Sequence, residues 1–146
     1  MDISRVDFSV LLKELTDIGI SLSSEKDHDR LLDLILQKAK LLTNADGGTL
    51  YTVDDHQLKF EIMISETLGI HKGSSKVEKI DFPPIELYKE NGNPNDTMVA
   101  TCAVLHGQTI NVDDVYSNEQ FDFSDTCKFD EKNNYRSISF LTVPLT

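Results

Sequence analysis

From Ile3 to about Ile20, the apolar residues Ile3, Val6, Val10, Leu11, Leu15 and Ile18 recur mostly three, four or seven apart. That spacing is one stripe of an amphipathic helix. Gly19 and the serines Ser21, Ser23 and Ser24 are expected to end it. A second helix is expected from about Asp27 to Leu42, with Ser23, Ser24, Glu25 and Asp27 signalling its N-terminus. Leu31, Leu32, Ile35, Ala39 and Leu42 form its expected buried face, and Arg30, Asp33, Gln37 and Lys40 are spaced for water. Asn44-Ala-Asp-Gly47 supplies the turn chemistry that closes it.

The period then changes from helical to alternating. Residues 48–53 and 58–65 read as two strands joined by the polar turn Asp54-Asp-His-Gln57, which is hairpin spacing. In the second strand Leu58, Phe60, Ile62 and Ile64 fall on one face and Lys59, Glu61, Met63 and Ser65 on the other. The apolar face is expected on the helices and the mixed face toward a pocket, shared by Thr49, Tyr51 and Val53. Residues 65–79 read as a mobile loop, and 80–87 as an edge strand, because Pro83 and Pro84 remove ladder donors. A helix over 98–106 follows, with Asn95, Asp96 and Thr97 offering its N-cap. Strands are expected at 109–112 and 137–145. Between them, residues 113–134 form an acidic, aromatic segment expected to act as a binding lid.

Composition narrows the function classes. One chain of 146 residues suits one domain, and a 39% hydrophobic fraction supports one core. A net charge of −11 repels nucleic-acid phosphates and anionic membrane surfaces, so neither partner is expected. No apolar run approaches a membrane span and no signal peptide is legible, so a cytoplasmic location is expected. Cys102 and Cys127 lack Cys-x-x-Cys spacing. Cys102 reads as a small buried hydrophobe, and the acidic setting of Cys127 disfavours its thiolate. Cys102 and His106 stand four apart on a helix, but with His28, His56 and His71 scattered they make no metal set. No catalytic motif is present, and neither a cofactor nor enzymatic activity is expected.

Three stretches, residues 31–53, 99–116 and 135–145, carry a family likeness. With the Phe82-Pro-Pro84 and Gly92-Asn-Pro94 turns and the Asn134-Tyr-Arg136 entry to the last strand, they resemble a GAF domain. The likeness is to GAF domains that precede cyclic-nucleotide-metabolising output domains in bacterial signalling proteins. It implies an α+β fold of GAF/PAS type: a six-stranded antiparallel sheet flanked by helices, with a ligand pocket on one face. It further implies a single domain over 1–146 that is cut short before its last strand and closing helix, and an output domain lying elsewhere.

By position in that family, Val99 and Ala100 match the start of the pocket helix. Ser137 and Ser139 match the strand floor, and Thr49 and Met63 the side wall. Tyr51 and Glu61 complete the pocket-facing set, and the free N–H groups at the helix start suit a phosphate or carboxylate. Arg136 could add a positive charge, and Phe121 and Phe123 could either stack on a planar ring or pin the lid to the core. The expected function is a regulatory sensor that binds a small molecule, a cyclic nucleotide being the first candidate, and transmits through a homodimer. A ligand-free dimerising module and a thiol-dependent reductase on the same fold are the alternatives.

Overall fold

The computed structural model describes residues 4–73 and 78–145, with side chains from residue 8 onward. Ile3, the side chain of Val6 and residues 74–77 of the expected 65–79 loop lie outside the described residues. The elements run α1 (Ser4–Ser24), α2 (His28–Thr43), β1 (Gly47–Asp54), β2 (Gln57–Ser65), β3 (Ile70–Gly73), β4 (Ile85–Glu86), α3 (Val99–His106), β5 (Ile110–Val112), α4 (Ser124–Asn133) and β6 (Phe140–Thr142). The chain divides into two compact units. One comprises Met1–Tyr51 with Phe60–Phe82, the other Thr52–Lys59 with Pro83–Thr146.

In the first unit α1 runs through Gly19 to Ser24, so the serines extend the helix rather than break it. Thr16 Oγ1 and Ser24 Oγ donate to carbonyls four and three residues back, which lets hydroxyl residues ride inside a helix. The N-cap of α2 is Asp27, whose carboxylate accepts the Asp29 and Arg30 N–H groups at 3.0 and 3.3 Å. Asn44 closes α2 in the left-handed region at φ 54°.

The face that α2 buries is the expected one only in part: Leu31, Leu32 and Ile35 are half-buried. Leu36 is its buried residue and packs with Ile62, Ile64, Leu32 and Leu50, while Ala39 and Leu42 are exposed. The polar residues Asp33 and Lys40, expected in water, reach the sheet instead. Asp33 Oδ1 meets His71 Nε2 at 2.9 Å, and Lys40 Nζ meets Glu66 Oε2 at 2.9 Å. A 3.6-residue period defines a stripe, and which edge of the stripe faces the sheet depends on what the sheet offers.

The sheet order is β1-β2-β3, with β4 also on β2. Residues 70–73, expected as loop, form β3, with Ile62 opposite Gly73 and Ile64 opposite His71. Gly73 (φ 89°) allows this approach, since a Cβ there would stand 2.0 Å from the Glu61 carbonyl oxygen.

The hairpin departs from strict alternation. Its turn is Asp55-His56, and at the far end the Glu66 N–H donates to the Asp46 carbonyl at 2.8 Å. Ile62 and Ile64 lie with Leu50 on Leu36, whereas Phe60 leaves that set and meets Tyr51 at 4.8 Å and Phe82 at 5.3 Å between ring centroids.

In the second unit Leu58 is buried and pairs with Ile85 of β4, so the proline-led segment does add an edge strand. β5 and β6 pair antiparallel, Ile110 with Thr142 and Val112 with Phe140. Val99, Val112, Val115 and Phe123 form the buried core, with Ile110, Phe121 and Phe140 packed on it. The six strands among the described residues thus fall into a four-stranded and a two-stranded sheet rather than one sheet of six. The fold class is α+β, as expected.

Candidate functional site

The segment expected as an irregular lid contains α4. Its helix is polar almost all round and lacks a side-chain N-cap bond, so neither periodicity nor capping announces it. Local turns lead into it. The Asn118 side-chain Oδ1 accepts the Gln120 and Phe121 N–H groups, and Asp122 Oδ1 accepts the Ser124 N–H at 2.9 Å. The Ser124 hydroxyl, its backbone N–H and Lys128 hold the Asp122 carboxyl below the usual range, against a smaller effect of burial.

The approach to α4 is tied to the start of α3. The Asp122 N–H donates to the Thr97 carbonyl at 2.7 Å. The N-cap of α3 is Met98, which makes no side-chain cap bond, so the offered caps Asn95, Asp96 and Thr97 go unused as such. Thr97 instead donates its hydroxyl to Asn95 Oδ1 at 3.1 Å. There is no acidic residue in the first turn of α3, despite the protein's charge of −11. An uncapped helix start of this kind presents N–H groups and the positive end of the dipole.

The residues singled out from the sequence fall into three places. Val99, Phe121 and Phe123 come together in the core of the second unit, where Phe123 contacts Phe121 at 6.4 Å and Phe140 at 5.8 Å between centroids. Ala100, beside Val99, is half-buried. Arg136 and Ser137 lie at the entrance to β6, around a buried carboxylate. Ser139, two residues on, is exposed. Thr49, Tyr51, Glu61 and Met63 belong to the first unit and are half-buried. Removal from water pushes the Tyr51 phenol up to about 12.

The sequence reading missed the carboxylate at the centre of the second group. Asp130 on α4 is 2% exposed. Its Oδ2 accepts the Tyr116 hydroxyl at 2.5 Å and the Ser137 N–H at 2.8 Å, and its Oδ1 accepts the Ser137 hydroxyl at 2.9 Å. The Arg136 guanidinium sits 4.3 Å from the Tyr116 ring centroid, a cation–π distance. The bond to Asp130, aided by burial, raises the Tyr116 phenol to about 12. One of seven lid acids is therefore structural, and the exposed Tyr116–Arg136 pair is built on it. Nothing in local sequence separates Asp130 from its acidic neighbours, because its partners lie up to 14 residues away.

The first unit has a cleft of about 200 Å³ between α2 and β2–β3, lined by Gln37, Lys40, Ser65, Glu66 and His71 over Ile64 and Ile70. Two of its side chains are already paired, Lys40 with Glu66 and His71 with Asp33. Of the two cysteines, Cys102 has its thiol pushed up by burial and by the charge of Asp96, the opposite of an activated nucleophile.

The comparisons with known proteins agree with this architecture. The GAF domain family matches residues 27–146. A dual 3',5'-cyclic-AMP and -GMP phosphodiesterase 11A from Takifugu rubripes is 25% identical over 148 aligned positions. The match takes in 97% of this chain but only 15% of the phosphodiesterase. The crystal structure of the GAF domain from Acinetobacter phosphoenolpyruvate-protein phosphotransferase superposes with a TM-score of 0.61. It is 13% identical, covering 94% of this chain and 69% of that one.

The chain belongs to the GAF domain family. GAF domains are generally regulatory, ligand-binding modules.

Proposed function

We propose that this chain is the ligand-sensing part of a larger cytoplasmic signalling protein, that it binds a small anionic molecule, and that it passes its state through a homodimer. The observation that carries the reading is the start of α3: a helix without a side-chain cap or a first-turn acid, in a protein of charge −11. Its N–H groups suit a phosphate, and the Asp122–Thr97 bond sets the aromatic approach to α4 beside it. Arg136 is the nearest basic residue in sequence to the floor residues Ser137 and Ser139. A cyclic nucleotide is the first candidate, supported by the likeness to a protein named for cyclic AMP and cyclic GMP. Binding would select one arrangement of α3, α4 and β6, a population shift driven by differential affinity.

The test is a melting shift across cyclic AMP, cyclic GMP and common anionic metabolites. A rise in Tm that grows with ligand concentration is expected for at least one of them. No shift with any would defeat the sensing role. It would favour the second reading, a ligand-free dimerising module, to which the packing of Val99, Phe121 and Phe123 into core lends weight.

A further inference from the structure

We propose that the cleft between α2 and the β2–β3 pair is a second binding site, for a short aliphatic carboxylate whose charge takes the place of Glu66 on Lys40. It belongs to the first unit alone and does not depend on the reading of α3.

The ion pair at this cleft is unequal. Lys40 Nζ meets Glu66 Oε2 at 2.9 Å, but the Lys40 side chain is only 21% exposed, whereas that of Glu66 is 75% exposed. Burial makes it costly to leave the ammonium without a counter-charge, while the carboxylate is mostly in water whether paired or not. A pair with one partner so open contributes little, so another carboxylate can replace Glu66 at small cost. The exchange needs no backbone movement. The Glu66 N–H is held by the Asp46 carbonyl at 2.8 Å and the Glu66 carbonyl accepts the Gly69 N–H at 3.2 Å, so only the side chain has to swing out.

The rest of the cleft sets the other end of the ligand. Its floor is Ile64 and Ile70, and Gln37 and Ser65 add an amide and a hydroxyl. The acid Asp33, which would repel an anion, is engaged by His71 at 2.9 Å. A volume of about 200 Å³ holds roughly seven groups the size of a water molecule, at about 30 Å³ each. That is too small for a nucleotide and fits a carboxylate carrying about three to five carbons. A ligand of this size binds with a Kd of about 0.1–10 mM, and the chain's charge of −11 holds it toward the weak end.

The test is a titration of the isotope-labelled whole chain with isovalerate, followed by amide chemical shifts. Saturable shifts are expected within residues 37–40 and 64–71. Acetate has the charge without the body and should bind at least about fivefold more weakly; isoamyl alcohol has the body without the charge and should not saturate. Lys40→Gln should weaken isovalerate at least about tenfold, since it removes the buried cation. Glu66→Gln removes the competing carboxylate and should tighten isovalerate at least about threefold, an effect that a merely structural ion pair would not give. The spectrum of each variant without ligand shows whether it is folded, and if Lys40→Gln is not, Glu66→Gln and the alcohol decide. No saturable shift, shifts confined to residues 98–101 at the start of α3, or a Glu66→Gln variant that binds no more tightly than wild type would overturn the proposal. A cyclic nucleotide bound at α3 should raise Tm alike in wild type and Lys40→Gln, so failure of one site is told apart from failure of the other.

Discussion

Asp130 and Ser137 are joined twice: the Ser137 N–H reaches one carboxylate oxygen at 2.8 Å and the Ser137 hydroxyl reaches the other at 2.9 Å. The pair pins the end of α4 to the strand that enters β6, and Tyr116 completes it from the other side. Asp130→Ala leaves these donors unpaired in a buried place. We expect a loss of about 3 kcal/mol, or about 6–12 °C in Tm, read by thermal or urea unfolding. Asp130→Asn should cost less, because its amide oxygen still accepts one of the bonds. Equal stability of Asp130→Ala and wild type would show that the carboxylate carries no weight.

Tyr51 and Tyr116 should ionise late. Both phenols are raised to about 12, Tyr51 by burial and Tyr116 chiefly by its bond to Asp130. The folded state therefore holds these protons more tightly than the unfolded chain, whose tyrosines ionise near 10. The resulting stability is complete below about pH 10 and is lost as pH rises toward about 12. Absorbance titration of tyrosinate should find Tyr51 and Tyr116 delayed. Tyr116→Phe should remove one delayed group, and Phe60→Ala, by letting water reach Tyr51, should bring the other down toward 10. A titration that neither Tyr116→Phe nor Phe60→Ala alters would contradict the arrangement.

Three glycines should respond to alanine in opposite directions. At Gly73 a Cβ would meet the Glu61 carbonyl oxygen at 2.0 Å with φ at 89°, and at Gly47 it would meet the Ile64 carbonyl oxygen at 2.4 Å. Alanine at either should destabilise by more than about 1 kcal/mol, since backbone must move. Gly19 lies inside α1 with nothing within 4 Å of its would-be Cβ. Gly19→Ala should stabilise by about 0.5–1 kcal/mol. Denaturant midpoints of the three variants check all three signs.

Ile62 and Phe60 are unequal in their contacts, although they stand two apart in one strand. Ile62 is fully buried against Leu36, and Ile62→Ala should cost about 2–5 kcal/mol. Phe60 is only partly buried and packs with Tyr51 and Phe82 on the other side of the hairpin. Its removal should move the Tyr51 titration, whereas Ile62→Ala should not. A shift of Tyr51 in both variants would place the two side chains on one face.

What the chain determined by itself was local. Capping and turn residues announced where α2 starts at Asp27 and ends at Asn44, the hairpin turn at 54–57, and the edge character of the segment led by Pro83 and Pro84. Those features depend on backbone dihedrals and neighbouring bonds, which a short window contains. The matches at 31–53, 99–116 and 135–145 were enough to suggest the family. What the tertiary structure decided was which of several equivalent local choices is used. Leu36 rather than Leu42 faces the sheet because Ile62 and Ile64 are there to meet it. Asp33 leaves solvent because His71, 38 residues away, comes within 2.9 Å. Asp130 becomes a buried acceptor among exposed acids because Tyr116 and Ser137 converge on it. Periodicity and charge describe a residue's own surroundings along the chain, while burial and pairing are set by side chains far from it in sequence.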